Sequence, residues 1–140
     1  MRSLRIFAAT AATMLASATL TIAAAPTAAA ATTCSERDYL NIKGGYRAAI
    51  PATSSYSYNC ILREGNRGPA VKALQDSLAI CNYGKIERDG IFGPKTTAAL
   101  KKAQSAAKVS ADGVYGPKTR DSIKWAWINK SNVKCGVMPR

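Results

Sequence analysis

Asp89-Gly90-Ile91-Phe92-Gly93-Pro94-Lys95-Thr96 returns further along the chain as Asp112-Gly113-Val114-Tyr115-Gly116-Pro117-Lys118-Thr119. Asp-Gly makes a turn, because the Asp carboxylate bonds the backbone just after it and Gly accepts a positive φ. Gly-Pro then opens a helix: proline brings a preset φ and lacks an N–H that would stay unpaired in the first turn. Between them, an aliphatic and an aromatic residue read as plugs into the core. Asp89 and Asp112 stand just ahead of the helix N-termini, where a carboxylate is favoured by the dipole and the free N–H groups. Two copies point to a duplication and are too few for a solenoid.

Working outward, Gly-Pro occurs a third time, at Gly68-Pro69, and a helical stripe follows each pair. Val71, Leu74, Leu78 and Cys81 fall on one helix face, and Asn82-Tyr83-Gly84 stops that helix. Ala99, Leu100, Ala103 and Ala107 repeat the spacing, and Ile123, Ala126 and Trp127 mark a third stripe. At about 100° per residue Trp125 would point nearly opposite that stripe, to pack under another segment or to meet a ligand. The expected fold class is all-α, a compact three-helix domain over residues 61–130. Residues 32–60, rich in Tyr and Ser, show no sustained period and read as an irregular segment; 131–140 read as a tail.

Residues 1–31 begin with Arg2 and Arg5, continue as an uncharged Ala- and Thr-rich apolar run, and end in A-x-A sites near Ala30 or Ala31. These are the marks of a cleaved secretory signal peptide, with no membrane anchor afterwards. All four cysteines lie beyond it, and an even number in a small exported chain reads as two disulfides. Four cysteines allow three pairings; a 60–68 segment folded back along the first helix would join Cys60 to Cys81 and leave Cys34 for Cys135. A Cys34–Cys60 link would refute that arrangement.

The 140 residues carry 20 Lys+Arg against 8 Asp+Glu, a net +12. Without Arg2 and Arg5 of the leader the balance is 18 against 8. The absence of His excludes Ser-His-Asp and Cys-His catalysis and His-ligated zinc, and no C-x-x-C pair suggests a thiolate metal site. No metal or other cofactor is expected. The positive charge is spread along the helices; it suits attraction to an anionic matrix, while nothing in the chain resembles a nucleic-acid motif.

Leu62-x-x-Gly65-x-x-Gly68-x-x-Val71-x-x-Leu74-Gln75-x-x-Leu78, the two Asp-Gly octapeptides, and Ala99-Leu100-x-x-x-Gln104 between them resemble a peptidoglycan-binding domain of type 1 over about residues 61–127. One departure is Ala103, where that family usually has an aromatic. The resemblance implies non-covalent attachment to cell-wall glycan or its stem peptides, and the short remainder from Thr32 to Cys60 is too small for a catalytic domain. The expectation is therefore a secreted, monomeric, non-enzymatic wall binder, attracted also to anionic wall polymers. The alternatives are an extracellular interaction or inhibitor protein on the same fold, or a small wall hydrolase; the latter lacks a dedicated carboxylate pair.

Gln75 and Gln104 are expected to bond turn backbone rather than ligand. The candidate binding residues are Arg88, Asp89, Asp112, Tyr115, Lys118 and Trp125. They describe a shallow site near the turns: carboxylates and backbone donors from the Asp-Gly turns, a Tyr115 ring to stack on or bond a sugar, and charge from Arg88 and Lys118.

Overall fold

The computed structural model describes residues 29–140; the expected leader, apart from its last three residues, lies outside them. Each of the three Gly-Pro pairs does begin a helix: α1 spans Pro69–Ile80, α2 Pro94–Ala106 and α3 Pro117–Ser122. The all-α expectation is corrected by four strands, β1 (Glu36–Ile42), β2 (Tyr46–Ala52), β3 (Trp125–Ile128) and β4 (Val133–Gly136). They form one antiparallel sheet in the order β1-β2-β3-β4.

Two readings of periodicity account for the difference. Residues 32–60 are not irregular: Asp38, Leu40 and Ile42 alternate with exposed Arg37, Tyr39 and Asn41, and Lys43-Gly44-Gly45 turns the chain into β2. That is a hairpin with a period of two. The supposed third stripe is also a strand. Helix α3 stops at Ser122, Ile123 is extended at ψ 163°, and Trp125 and Trp127 are both buried, as i and i+2 residues of a strand are. The spacing of Ile123, Ala126 and Trp127 fits a helix face equally well, so three residues could not separate the two periods. Asn129 closes the β3–β4 hairpin, its side-chain oxygen accepting from the N–H groups of Ser131 and Asn132.

The sheet packs on α1 through all of β1, β2 and β3. Leu74, Leu78, Phe92, Leu100, Ile50 and Trp125 are among the fully buried side chains of one continuous core. The hairpin is further anchored where the Tyr58 hydroxyl donates to Asp38 and Arg120 donates to the Tyr58 carbonyl at 3.1 Å. Burial and the bond to Asp38 push the Tyr58 phenol up to about 12.

The cysteine pairing is corrected as well. Cys34 joins Cys60, and Cys81 joins Cys135. Residues 60–68 do not fold back along α1. Instead Ile61 pairs with the N-terminal segment, Cys34 N–H donating to the Ile61 carbonyl at 2.9 Å and Ile61 N–H to that of Thr32 at 2.8 Å, which sets Cys60 beside Cys34. The chain then runs as a strap across both repeated turns. Leu62 and Tyr115 exchange backbone hydrogen bonds of 3.0 and 2.8 Å; further on, Gly65 donates to Phe92 at 2.9 Å and Gly68 to Gly90 at 2.8 Å.

Candidate functional site

Each Asp-Gly turn is locked by one buried glutamine. The Gln75 side-chain N–H groups are shared among Asp89 Oδ1 at 3.1 Å, the Ile91 carbonyl at 2.9 Å and Thr96 Oγ1 at 3.0 Å, while its oxygen accepts from Gly90 N–H at 2.8 Å. Gln104 repeats this on Asp112 at 2.9 Å, the Val114 carbonyl at 2.9 Å, Thr119 at 3.1 Å and Gly113 N–H at 2.9 Å. Both glutamines are only 1 % exposed, so these partners meet the need of a buried amide for hydrogen bonds. The expected structural role of the two glutamines is what the structure has.

The aspartates close the turns rather than cap the helices. Asp89 Oδ1 accepts from Ile91 N–H and Asp112 Oδ1 from Val114 N–H, both at 2.9 Å, and among the described residues neither α2 nor α3 has a side-chain cap bond. The Ile91 N–H bond, then the Gln75 bond, hold the Asp89 carboxyl below the usual range, with Arg67 helping. Gly90 and Gly113 have φ of +76° and +74°. A Cβ on Gly113 would lie 2.9 Å from the Thr97 methyl, and one on Gly90 would lie 3.1 Å from the Gly68 carbonyl oxygen. Conformation and space therefore both demand glycine there.

A shallow cleft opens beside each locked turn. The first, about 340 Å³, is lined by Gln75, Glu87, Asp89, Ile91, Gly93, Pro94, Lys95 and Thr96. The second, about 190 Å³, is lined by Val109, Ser110, Asp112, Val114, Gly116, Pro117, Lys118 and Thr119. All but one of the lining positions of each correspond in the register of the repeat. The clefts differ at their mouths. Lys95 pairs with Glu87 at 3.5 Å, whereas Lys118 shares its cleft with Ser110 and has no carboxylate within ion-pair distance among the described residues. A broader hollow of about 640 Å³ adjoins the first cleft and shares Glu87 and Lys95 with it.

Of the expected binding residues, Asp89, Asp112 and Lys118 line these clefts. Arg88 does not; it turns toward Asp76, 3.6 Å away, in a separate groove with Tyr39 and Arg47. Tyr115 and Trp125 line neither cleft: both are fully buried, their rings meeting edge to face at 6.0 Å, so of the two expectations for Trp125 the structure has the packed one. Trp125 donates to the Arg120 carbonyl at 2.8 Å, and the Tyr115 hydroxyl has no partner among the described residues, burial pushing its phenol up. Strand geometry, not a helix face, directs Trp125 inward. Ile91 reverses the other expectation: the aliphatic residue of the first copy is 40 % exposed, and only the aromatic plugs the core. Lys95, Glu87 and Ser110 are cleft residues outside the expected binding set. The register of the repeat, which carries Lys118 back onto Lys95, is the signal that points to the first of them.

Residues 67–123 match the family described as "Putative peptidoglycan binding domain". All four strands lie outside that match. No curated protein matches the chain. Among solved structures, the SleB N-terminal domain is 33 % identical, with 44 % of this chain and 84 % of that chain covered and a TM-score of 0.42. A Burkholderia AP3 phage endolysin is 37 % identical over 42 % of this chain and 22 % of its own, with a TM-score of 0.40. A peptidoglycan-binding protein from Clostridioides difficile, in complex with glutamine hydroxamate, is 29 % identical over 59 % of this chain and 53 % of its own, with a TM-score of 0.46.

Proposed function

Because the chain belongs, through residues 67–123, to the peptidoglycan-binding domain family, we propose that it is a secreted, non-catalytic protein that holds bacterial cell-wall peptidoglycan without a covalent bond. The observation that carries the reading is the pair of equivalent clefts on the family's own residues. Each offers a lysine ammonium, an Asp carboxylate whose second oxygen is left over from the turn, and an aliphatic wall of Ile91 or Val114. That combination suits a stem peptide, which carries amide, carboxylate and methyl groups close together. Exposed Ile91 takes the apolar contact that Tyr115, being buried, cannot make.

The non-catalytic reading rests on how seven of the eight acidic side chains are used, the eighth, Glu36, standing exposed at the start of β1. Asp89 and Asp112 close turns, Asp76 pairs with Lys72 and Arg88, Glu87 with Lys95, and Asp121 with Arg120, while Glu64 accepts from Thr97 and Asp38 from Tyr58. A wall glycosidase needs one carboxyl with a raised pKa, and Asp89 is shifted the other way. The extracellular or wall location rests on the family and the two disulfides. Among the described residues no helix is long and apolar enough to cross a membrane.

The test is sedimentation of the purified chain with insoluble peptidoglycan stripped of phosphate polymers. Screening shrinks from about 10 Å at about 0.1 M salt to about 3 Å at about 1 M, so a purely cationic surface releases the wall and a fitted cleft keeps part of its hold. Binding that survives high salt and falls in Ile91→Ser and Lys118→Ala supports the clefts. Complete release at high salt, with both variants unchanged at low salt, overturns them.

A further inference from the structure

Where the sheet meets α1, a groove of about 200 Å³ carries Tyr39, Arg47 and Arg88 at its rim, with Ala49, Ala126 and Ile128 from the strands and Asp76 and Ser77 from the helix in its lining. Arg47 stacks over the Tyr39 ring at 5.0 Å from its centre, and Arg37 stands over the same ring at 5.7 Å. Neither has a carboxylate within ion-pair distance among the described residues. Among the described residues Arg88 has only Asp76, at 3.6 Å, and shares it with Lys72 at 3.7 Å. Three of the seven arginines in the described residues thus converge on a chain that otherwise spreads its charge as lysine.

Arginine and lysine do different work. A guanidinium offers a planar fork of N–H donors that fits phosphate with two parallel bonds, and stacking on a ring keeps that fork oriented before any ligand arrives. An apolar strip between such forks has no anion to meet and suits the carbon chain that links one phosphate to the next. We infer that this groove binds a linear polyol–phosphodiester polymer, with phosphates on Arg37, Arg47 and Arg88 and the intervening carbons over Ala49, Ala126 and Ile128. Charge complementarity selects a polyanion. Nucleic acid is the weaker fit: single strands bind by stacking bases on aromatic rings, and Tyr39, the aromatic ring that lines the groove, already carries two guanidiniums. This inference does not rest on the peptidoglycan clefts, which lie on other residues.

The experiment titrates the purified chain with soluble poly(glycerol phosphate) at about 0.15 M salt, where surface charges are screened beyond about 8 Å. Glycerol 3-phosphate, polyglutamate and single-stranded DNA of matched charge serve as comparison ligands. Arg37→Gln/Arg47→Gln is set against Lys102→Gln/Lys130→Gln, an equal loss of charge elsewhere. The groove variant is expected to lose about tenfold in affinity and the control less than about threefold, as removal of oriented charge-assisted bonds outweighs removal of diffuse field. Equal losses in the two variants would leave only a field effect and overturn the site. Equal affinity for polyglutamate would overturn the phosphodiester assignment, and equal affinity for DNA would overturn the polyol backbone as the preferred link between phosphates. Arg88→Gln, which touches no strand pairing, makes the same test if the double variant unfolds.

Discussion

The two copies of the Asp-Gly turn share a clamp and differ in what surrounds it. Gln75 and Gln104 make the same four contacts within a few tenths of an ångström, and corresponding residues line both clefts. Yet one plug is Phe92 and the other Tyr115, one lysine is paired and the other is not among the described residues, and the helix that follows has 13 residues in the first copy and 6 in the second. The buried amide network tolerates little variation, because a lost member leaves its partners unsatisfied in a dry site. The mouth, bathed in water, is free to diverge. Shared geometry inside and altered chemistry outside separate the frame from the surface that is free to change.

The clamps should respond alike and strongly. Gln75→Ala and Gln104→Ala each strand several buried partners and are expected to cost about 2–4 kcal/mol, measured by denaturant unfolding. A large inequality would mean that the two networks do not bear equally on the fold. The plugs should respond oppositely. Tyr115→Phe removes a buried hydroxyl without a partner and is expected to stabilise by about 1 kcal/mol, whereas Phe92→Tyr inserts one and should destabilise by about 1–3 kcal/mol. A fall in melting temperature for Tyr115→Phe would place a bound water on that hydroxyl.

At the mouths, Glu87→Ser frees Lys95 and should strengthen wall binding about twofold, while Ser110→Glu should bridge Lys118 and weaken it to a similar degree. Sedimentation at low salt reads both; no change in either would leave the lysines without a part in binding. The smallest effect is acidic. Asp89 titrates below the ordinary Asp value of about 3.9, so its contribution is present above that pH and lost as pH falls through the lower folded value. The stability gap between the wild type and Asp89→Asn should close over that window, and a gap that widens on acidification would contradict the turn's dependence on the carboxylate.

What is legible in the sequence follows the range of the interaction. The Gly-Pro helix starts, the Asp-Gly turns and the backbone-seeking glutamines are set within a few residues, and the repeat shows each of them twice. The sheet escapes notice where its signal is short. Trp125-Ala126-Trp127-Ile128 offers too few residues to decide between two periods, and its partner strand is drawn from a segment that reads as a tail. In β1 and β2 the alternation and Gly44-Gly45 are present, but β2 becomes an interior strand only because Arg47 meets Ile128, from near the other end of the chain. Burial of Tyr115 and Trp125 depends on the same distant packing. Of the expected residues, Asp89, Asp112 and Lys118 therefore line the clefts while Tyr115 and Trp125 lie in the core.

The connectivity of the disulfides has a consequence for the order of events as the chain emerges from its N-terminus. Cys34 and Cys60 pair with each other, and so do Cys81 and Cys135, each thiol joining its neighbour in order of appearance. An oxidant acting on the growing or threading polypeptide meets the first correct couple before the third cysteine arrives. The third then has one free thiol left to find, 54 residues later. For a chain that meets an oxidant N-terminus first, vectorial emergence favours the native links, and reshuffling by an isomerase is needed only when the first couple forms late.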